Sequence, residues 1–200
     1  MQDLRNYLDL VKSKKTDDLL VVSKELDPAY EITALVAKLE QEARQRPVLI
    51  CENVKGSKYP VLTNLHASRS RIALSMNCAP GDLQRTYLRA MEKPIPPKVV
   101  SKGPVKEVVL KGEQVNLYDF PQILHHERDA GPYITAAISF AKDPTADTWN
   151  CAYNRLMIQG RDTTSIHLTP SKHLWEFYKF AESQGRSLQV AFAIGVHPAI

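Results

Sequence analysis

Four prolines, at positions 94, 96, 97 and 104, fall within the 15 residues EKPIPPKVVSKGPVK. A regular helix or a central strand cannot run through that density, because each proline fixes φ and lacks an amide N–H. The stretch predicts a linker over residues 93–106, between a first unit, 1–92, and a second, 107–200.

The first unit reads as an α/β domain. LRNYLDLVKS places Leu4, Tyr7, Leu8 and Val11 at helical spacing, and DLLVVS follows as a strand. Asp27 and Pro28 suit the N-cap and first-turn positions of a second helix, whose apolar face is Ile32, Leu35, Val36 and Leu39. RPVLICENV and YPVLTNL read as strands, and SRSRIALSM and PGDLQRTYLRAME as helices.

After the linker the pattern turns to strands: EVVLKG, YITAAISFAKDP, TWNCAYNRLMIQG, TTSIHLTP and SLQVAFAIGV, with one helix near 170–184. Short spacing and turn signals such as Lys142-Asp143-Pro144 predict a barrel or sandwich rather than a parallel sheet. The last strand runs into HPAI with no closing element, the pattern of a chain cut in mid-domain.

Composition narrows the function classes. Among 200 residues, 44% are apolar and 24% charged, as in ordinary soluble proteins. No run approaches the roughly 20 consecutive apolar residues of a membrane helix, and MQDLRNYLDLVKSKKTDD has no apolar signal region. Cys51, Cys78 and Cys151 are too scattered for a disulfide framework or a zinc ribbon, which fits a reducing cytoplasm. The net charge of +4 is spread along the chain, arguing against nucleic-acid binding, which needs a concentrated basic patch. Motifs for a P-loop, a dinucleotide fold or a hydrolase elbow are absent.

Two stretches have the composition of a site. In SIHLTPSKHLWEFYKFAE, Thr169 and Pro170 predict a helix start, with Lys172 and His173 in the first turn. A helix N-terminus favours anions, so a basic pair there makes sense if a phosphate fills that end; a solvated Lys and an idle His are the alternative. In WNCAYNR, strand alternation sends Asn150, Ala152 and Asn154 one way and Cys151, Tyr153 and Arg155 the other. An Asn oxygen with a His nitrogen suits manganese better than structural zinc, and an Arg suits phosphate or carboxylate; a polar edge strand is the alternative. LHHERDAGPY, with His125, His126, Glu127 and Asp129, reads as a loop bordering a pocket, since adjacent histidines in an extended loop diverge. Arg69 and Arg71 read as a solvated first helical turn that could meet an anion.

ELDPAYEITALVAKLE, PVLICENVKGSKYPVLTNLHASRSRIAL, VNLYDFPQILHHERDAGPYIT and AFAIGVHPA stand in the order of signature blocks of the UbiD-type decarboxylases, which the chain resembles over nearly its whole length. The resemblance implies non-oxidative, often reversible decarboxylation of an aromatic or α,β-unsaturated acid with prenylated FMN. It also implies a flavin-reductase-like split β-barrel, manganese bridging the cofactor phosphate, and potassium nearby. The family's N-x-x-x-x-R motif falls on Asn150 and Arg155, and its metal-binding His on His173. By resemblance, Asn150 and His173 are manganese ligands and Arg155 is catalytic. Cofactor contacts carry over to Tyr153, Asn154, Arg155, His167, Leu168, Thr169, Lys172 and His173. A flavin prenyltransferase supplies the cofactor, and the full-length form is expected to be a homo-oligomer, dimer or hexamer, in the cytoplasm.

The chain departs from the family at Ala152, often Gly or Ser, and at Asn154, often Tyr or Ala. The third manganese ligand, a Glu, and the proton-delivering acids are expected beyond residue 200, in a chain more than twice as long or on a separate subunit. Two alternatives stay open: a split-barrel oxidoreductase using unmodified FMN, and a non-catalytic fragment or subunit of a decarboxylase complex.

Overall fold

The computed structural model describes residues 3–14 and 18–200; residues 1, 2 and 15–17, which belong to the predicted first unit, lie outside the described residues. The first half contains helices α1 (Leu4–Lys14), α2 (Glu31–Gln41), α3 (Arg69–Ser75) and α4 (Leu83–Glu92), with strands β1 (Leu19–Val22), β2 (Val48–Cys51) and β3 (Val61–Thr63). β1 pairs parallel with β2 across the α2 crossover, and β3 closes the sheet antiparallel. Val48, Leu49 and Cys51 are fully buried, as expected of a short apolar strand covered on both faces.

α2 starts later than predicted. Asp27 Oδ1 accepts the Ala29 N–H at 2.9 Å, and the Asp27 N–H donates to Glu31 Oε2 at 2.7 Å, so Asp27-Pro28 form a turn and the helix begins at Glu31. The cause is tertiary: the Tyr30 N–H donates to Leu124 O and the Leu124 N–H to Pro28 O, which bridges Ala29 to Leu124 and ties the turn to the second half of the chain.

Arg71 corrects a second expectation. Rather than solvated, it is 2% exposed. Its guanidinium donates to the carbonyls of Arg46 at 2.6 Å, Asn64 at 3.0 Å and Leu65 at 3.2 Å, and lies 3.4 Å from Asp18 Oδ1. Its own carbonyl accepts the buried Tyr7 hydroxyl at 2.9 Å. The planar fork gathers loop carbonyls that would otherwise be buried without partners.

Residues 94–103 form no regular secondary structure, and Ile95 and Val99 are about nine-tenths exposed, at 90% and 92%. EVVLKG, predicted as a strand, is also irregular. Beyond it stand β4 (Tyr133–Ile134), β5 (Ile138–Lys142), β6 (Trp149–Tyr153), β7 (Leu156–Ile158), β8 (Thr164–Ile166), α5 (His173–Ser183) and β9 (Val190–Ala193). They build two antiparallel three-stranded sheets, ordered β4-β7-β8 and β6-β5-β9. Two predicted long strands are therefore each broken in two: YITAAISFAKDP into β4 and β5, and TWNCAYNRLMIQG into β6 and β7. The described strands form a mixed α/β fold in which no closed barrel is present.

The chain changes sheet three times, at residues 135–137, at Asn154-Arg155 and through α5 between β8 and β9, and the first two of these lie side by side. The Asn154 N–H donates to Ala137 O at 2.9 Å. Fully buried Ser139 pins the same place, its hydroxyl lying 2.6 Å from Asn154 Oδ1 and 3.1 Å from Ala152 O. α5 then packs over both sheets: Leu174, Phe177 and Ala141 form a buried cluster ringed by Ile166, Leu168, Leu188 and Val190.

Replacing Arg71 by Leu is expected to destabilise the protein by about 3 kcal/mol or more in chemical denaturation, because several buried carbonyls lose their donor. Arg71→Lys should rescue little, since one ammonium cannot span the same acceptors. Ser139→Ala should cost about 1–3 kcal/mol, the usual penalty for stripping a buried partner from an amide.

Candidate functional site

The residues singled out in the sequence fall into two groups around the sheet crossing. In the first, β6 alternates: Trp149, Cys151 and Tyr153 are exposed, while Asn150 and Ala152 are half-buried. Ala141 of β5 is the cross-strand partner of Asn150 and touches α5, so Asn150 faces that helix. His173, 23 residues further along the chain, reaches it: Nδ1 lies 2.9 Å from Asn150 Oδ1. The imidazole is stacked on Phe177, one turn along, at a 6.4 Å centroid separation and 12°.

The start of α5 is also later than predicted. Thr169-Pro170-Ser171 form a turn, with the Lys172 N–H donating to Thr169 O at 3.3 Å and Ser171 at φ 64°. Lys172 is the N-cap rather than a first-turn residue, and His173 is the first helical position. The earliest helical hydrogen bond runs from Glu176 N to Lys172 O, and no side chain caps the helix. The leading N–H groups are thus open to an anion beside an exposed lysine. Asp143 lies near His173; its carboxyl is held below the usual range chiefly by the Thr145 N–H and hydroxyl, with a smaller contribution from His173.

The Asn150–His173 pair meets a donor-set test for a divalent metal. A carbonyl oxygen and an imidazole nitrogen suit manganese, and 2.9 Å matches the roughly 3 Å between two donors that bind one ion at about 2.1 Å and a right angle. Among the described residues no cluster of three or more His, Cys, Asp or Glu could hold a metal, so this pair is at most part of a coordination shell.

The second group lines a cavity of about 480 Å³. Register explains its floor: Tyr133, Met157 and Ser165 are cross-strand partners in the β4-β7-β8 sheet. Two residues along on the same faces come Thr135, Arg155 and His167, and all six line the cavity. His125, His126 and Asp129 supply the remaining wall, so this loop does border a pocket. Burial pushes the His125 pKa down, against the nearby Asp129 carboxylate, which acts to raise it.

Other predicted positions sit elsewhere. Tyr153 projects from the far face of β6 into a separate cavity of about 410 Å³ with Leu4, His66 and His197. Asn154 is held by Ser139, and Leu168 packs beneath α5. Thr169 serves the turn before α5 through its carbonyl. Ser139, Tyr133, Thr135 and Met157 were not foreseen; period-2 alternation continued from Arg155 would have found Met157, and the others depend on strand pairing.

Known proteins show the same architecture. Residues 98–200 match the 3-octaprenyl-4-hydroxybenzoate carboxy-lyase Rift-related domain, and residues 10–91 match the N-terminal domain of the same enzymes. An anhydromevalonate phosphate decarboxylase of Methanothermobacter thermautotrophicus is 33% identical over 98% of this chain and 43% of its own length. The UbiD-class enzyme HmfF of Pelotomaculum thermopropionicum, solved with prFMN, superposes with a TM-score of 0.90 at 38% identity, over 99% of this chain and 45% of that one. Apo Klebsiella pneumoniae 3,4-dihydroxybenzoic acid decarboxylase gives a TM-score of 0.91 at 28% identity, over 100% of this chain and 43% of that one. The chain spans less than half the length of these relatives. With both family domains matched along nearly its whole length, the chain belongs to the UbiD carboxy-lyase family.

Proposed function

We propose that this chain is the cofactor-holding portion of a non-oxidative decarboxylase that acts on an aromatic or α,β-unsaturated carboxylic acid with prenylated FMN. The observation that carries the reading is the 2.9 Å approach of His173 Nδ1 to Asn150 Oδ1 at the uncapped start of α5. Support comes from relatives: HmfF is solved with prFMN and with FMN, and other relatives are decarboxylases of gallate, phenolic acids and anhydromevalonate phosphate.

In this reading the flavin supplies the electron sink for the charge left on carbon when carbon dioxide departs. The protein's own residues do the rest. Asn150 and His173 would hold manganese, which would supply positive charge to the cofactor phosphate. Lys172 and the free N–H groups of α5 would neutralise that phosphate. Arg155 grips the substrate carboxylate in the cavity it shares with His167, and its charge sets the affinity of a neighbouring acid for its proton. Asn154, Leu168 and Thr169 would border the cofactor bed, whereas Tyr153 could reach it only through its backbone, its side chain lying in the separate cavity on the far face of β6.

The two three-stranded sheets would be parts of one split β-barrel, with an N-terminal unit over 1–92 and a connecting linker over 93–106. A further metal ligand and the proton-returning acid come from polypeptide corresponding to the relatives' remaining length. The complete enzyme would assemble as a homo-oligomer and receive its cofactor from a flavin prenyltransferase.

Calorimetric titration with FMN, with and without manganese, tests this. Manganese is expected to tighten FMN binding, and His173→Ala or Asn150→Ala should remove that enhancement, weakening binding by about tenfold or more. Lys172→Ala should weaken FMN in the presence and absence of metal alike. FMN affinity indifferent to manganese and to both ligand substitutions would overturn the reading. Oxidation of NADH by the FMN-loaded chain would favour an oxidoreductase instead.

A further inference from the structure

Arg69 and Arg71 form a basic pair in the sequence that could meet an anion, and neither takes part in the metal pair or the Arg155 cavity. Both line a groove of about 540 Å³ on the first half of the chain, which shares no residue with that cavity. Its charged lining is Arg44, Arg46, Arg69 and Arg71 against Asp18 and Glu40, which leaves two positive charges unbalanced. The carboxylates are engaged: Glu40 Oε1 lies 2.6 Å from Arg46 Nη2, and Asp18 Oδ1 lies 3.4 Å from Arg71 Nη1. Arg44 and Arg69 are exposed, and among the described residues neither has a carboxylate partner.

The groove is held in shape by its buried floor. Arg71 draws in the carbonyl of Arg46 from one wall and those of Asn64 and Leu65 from the other. Arg69 Nε donates to Pro80 O at 3.4 Å, which orients the guanidinium and leaves its two terminal nitrogens for a ligand. Arg44 adds a separate signal. It lies just beyond α2 in the left-handed region, at φ 51°, where the Gln45 N–H closes back on Leu39 O at 3.0 Å. Glycine takes such a position without strain, and a side chain there costs stability. The turn therefore does not account for an arginine, whose guanidinium instead lines the groove.

We propose that this groove binds the phosphate group of a small soluble phosphate monoester, held between the Arg44 and Arg69 side chains with Arg46 alongside. A planar guanidinium presents its N–H groups as a fork that matches two oxygens of one phosphate. The two unbalanced charges match the charge of close to −2 that a phosphate monoester carries near neutral pH. The site is separate from the start of α5, where the cofactor phosphate is placed, and it does not rest on the decarboxylase reading.

The test is titration of the 15N-labelled 200-residue protein with glycerol 3-phosphate at low ionic strength, followed by nuclear magnetic resonance. Saturable shifts are expected in the amide signals of residues 44–46 and 68–71. Arg69→Gln and Arg44→Gly should each weaken binding by about tenfold, as loss of a charge-assisted hydrogen bond does. Arg44→Gly should do so without lowering the thermal midpoint, because glycine suits the left-handed turn. A merely structural role for Arg44 would not separate those two readouts. Lys172→Ala, at the start of α5, should leave the shifts unchanged.

The same shifts produced by sodium chloride at matched ionic strength overturn the proposal, as does an affinity indifferent to both arginine substitutions. Absence of saturable shifts at residues 44–46 and 68–71 overturns it as well. Should Arg44→Gly not fold, Arg69→Gln decides the matter, since Arg69 is exposed and takes no part in the buried floor. Manganese-dependent FMN binding is scored separately, so failure here leaves the decarboxylase reading standing.

Discussion

The candidate metal pair depends on how α5 is docked. Leu174, Phe177 and Ala181 are all at least nine-tenths buried, and they recur at the spacing of one helical face. Burying each large apolar side chain contributes roughly 1.5–3 kcal/mol, so rotating the helix would expose most of what holds it. His173 immediately precedes Leu174 and stacks on Phe177. Its ring is thereby carried to Asn150, whose own direction is fixed by pairing with Ala141 beneath the same helix. Ordinary core packing thus places two polar donors together, without any dedicated loop.

The second organising feature is the crossing between sheets. Both breaks, at residues 135–137 and Asn154-Arg155, are held by Asn154 N to Ala137 O and by the Ser139 hydroxyl. Before the break β6 presents Asn150 to α5; after it β7 presents Met157, next to Arg155, to the cavity. One continuous stretch of nine residues, WNCAYNRLM, therefore serves both groups of the candidate site. The linkage of Leu124 and His125 to α2 closes the cavity from the other side and ties the two halves of the chain together.

Much of this was legible in sequence because it is local. The apolar spacing of Leu174, Phe177 and Ala181, the alternation through Asn150 and Ala152, and the proline cluster each express one period or one backbone restriction. What was not legible is what partners impose. Asp27-Pro28 has the chemistry of a helix start, yet tertiary hydrogen bonds to Leu124 delay α2 to Glu31. Arg71 looked solvated because a sequence does not show three carbonyls converging on it. The strand breaks escaped notice since alternation persists across Asn154 while the hydrogen-bond partners change. Ser139 is a small residue in an apolar run, and no periodicity marks it as the pin at the crossing.

The central claim is that Asn150 and His173 form part of a metal site facing a flavin phosphate. Pulsed electron paramagnetic resonance of manganese bound to histidine-15N-labelled protein with FMN tests it most directly. The expected spectrum contains hyperfine coupling to one histidine nitrogen, lost in His173→Gln. Bound manganese with no nitrogen coupling, or coupling that survives that substitution, would contradict the claim.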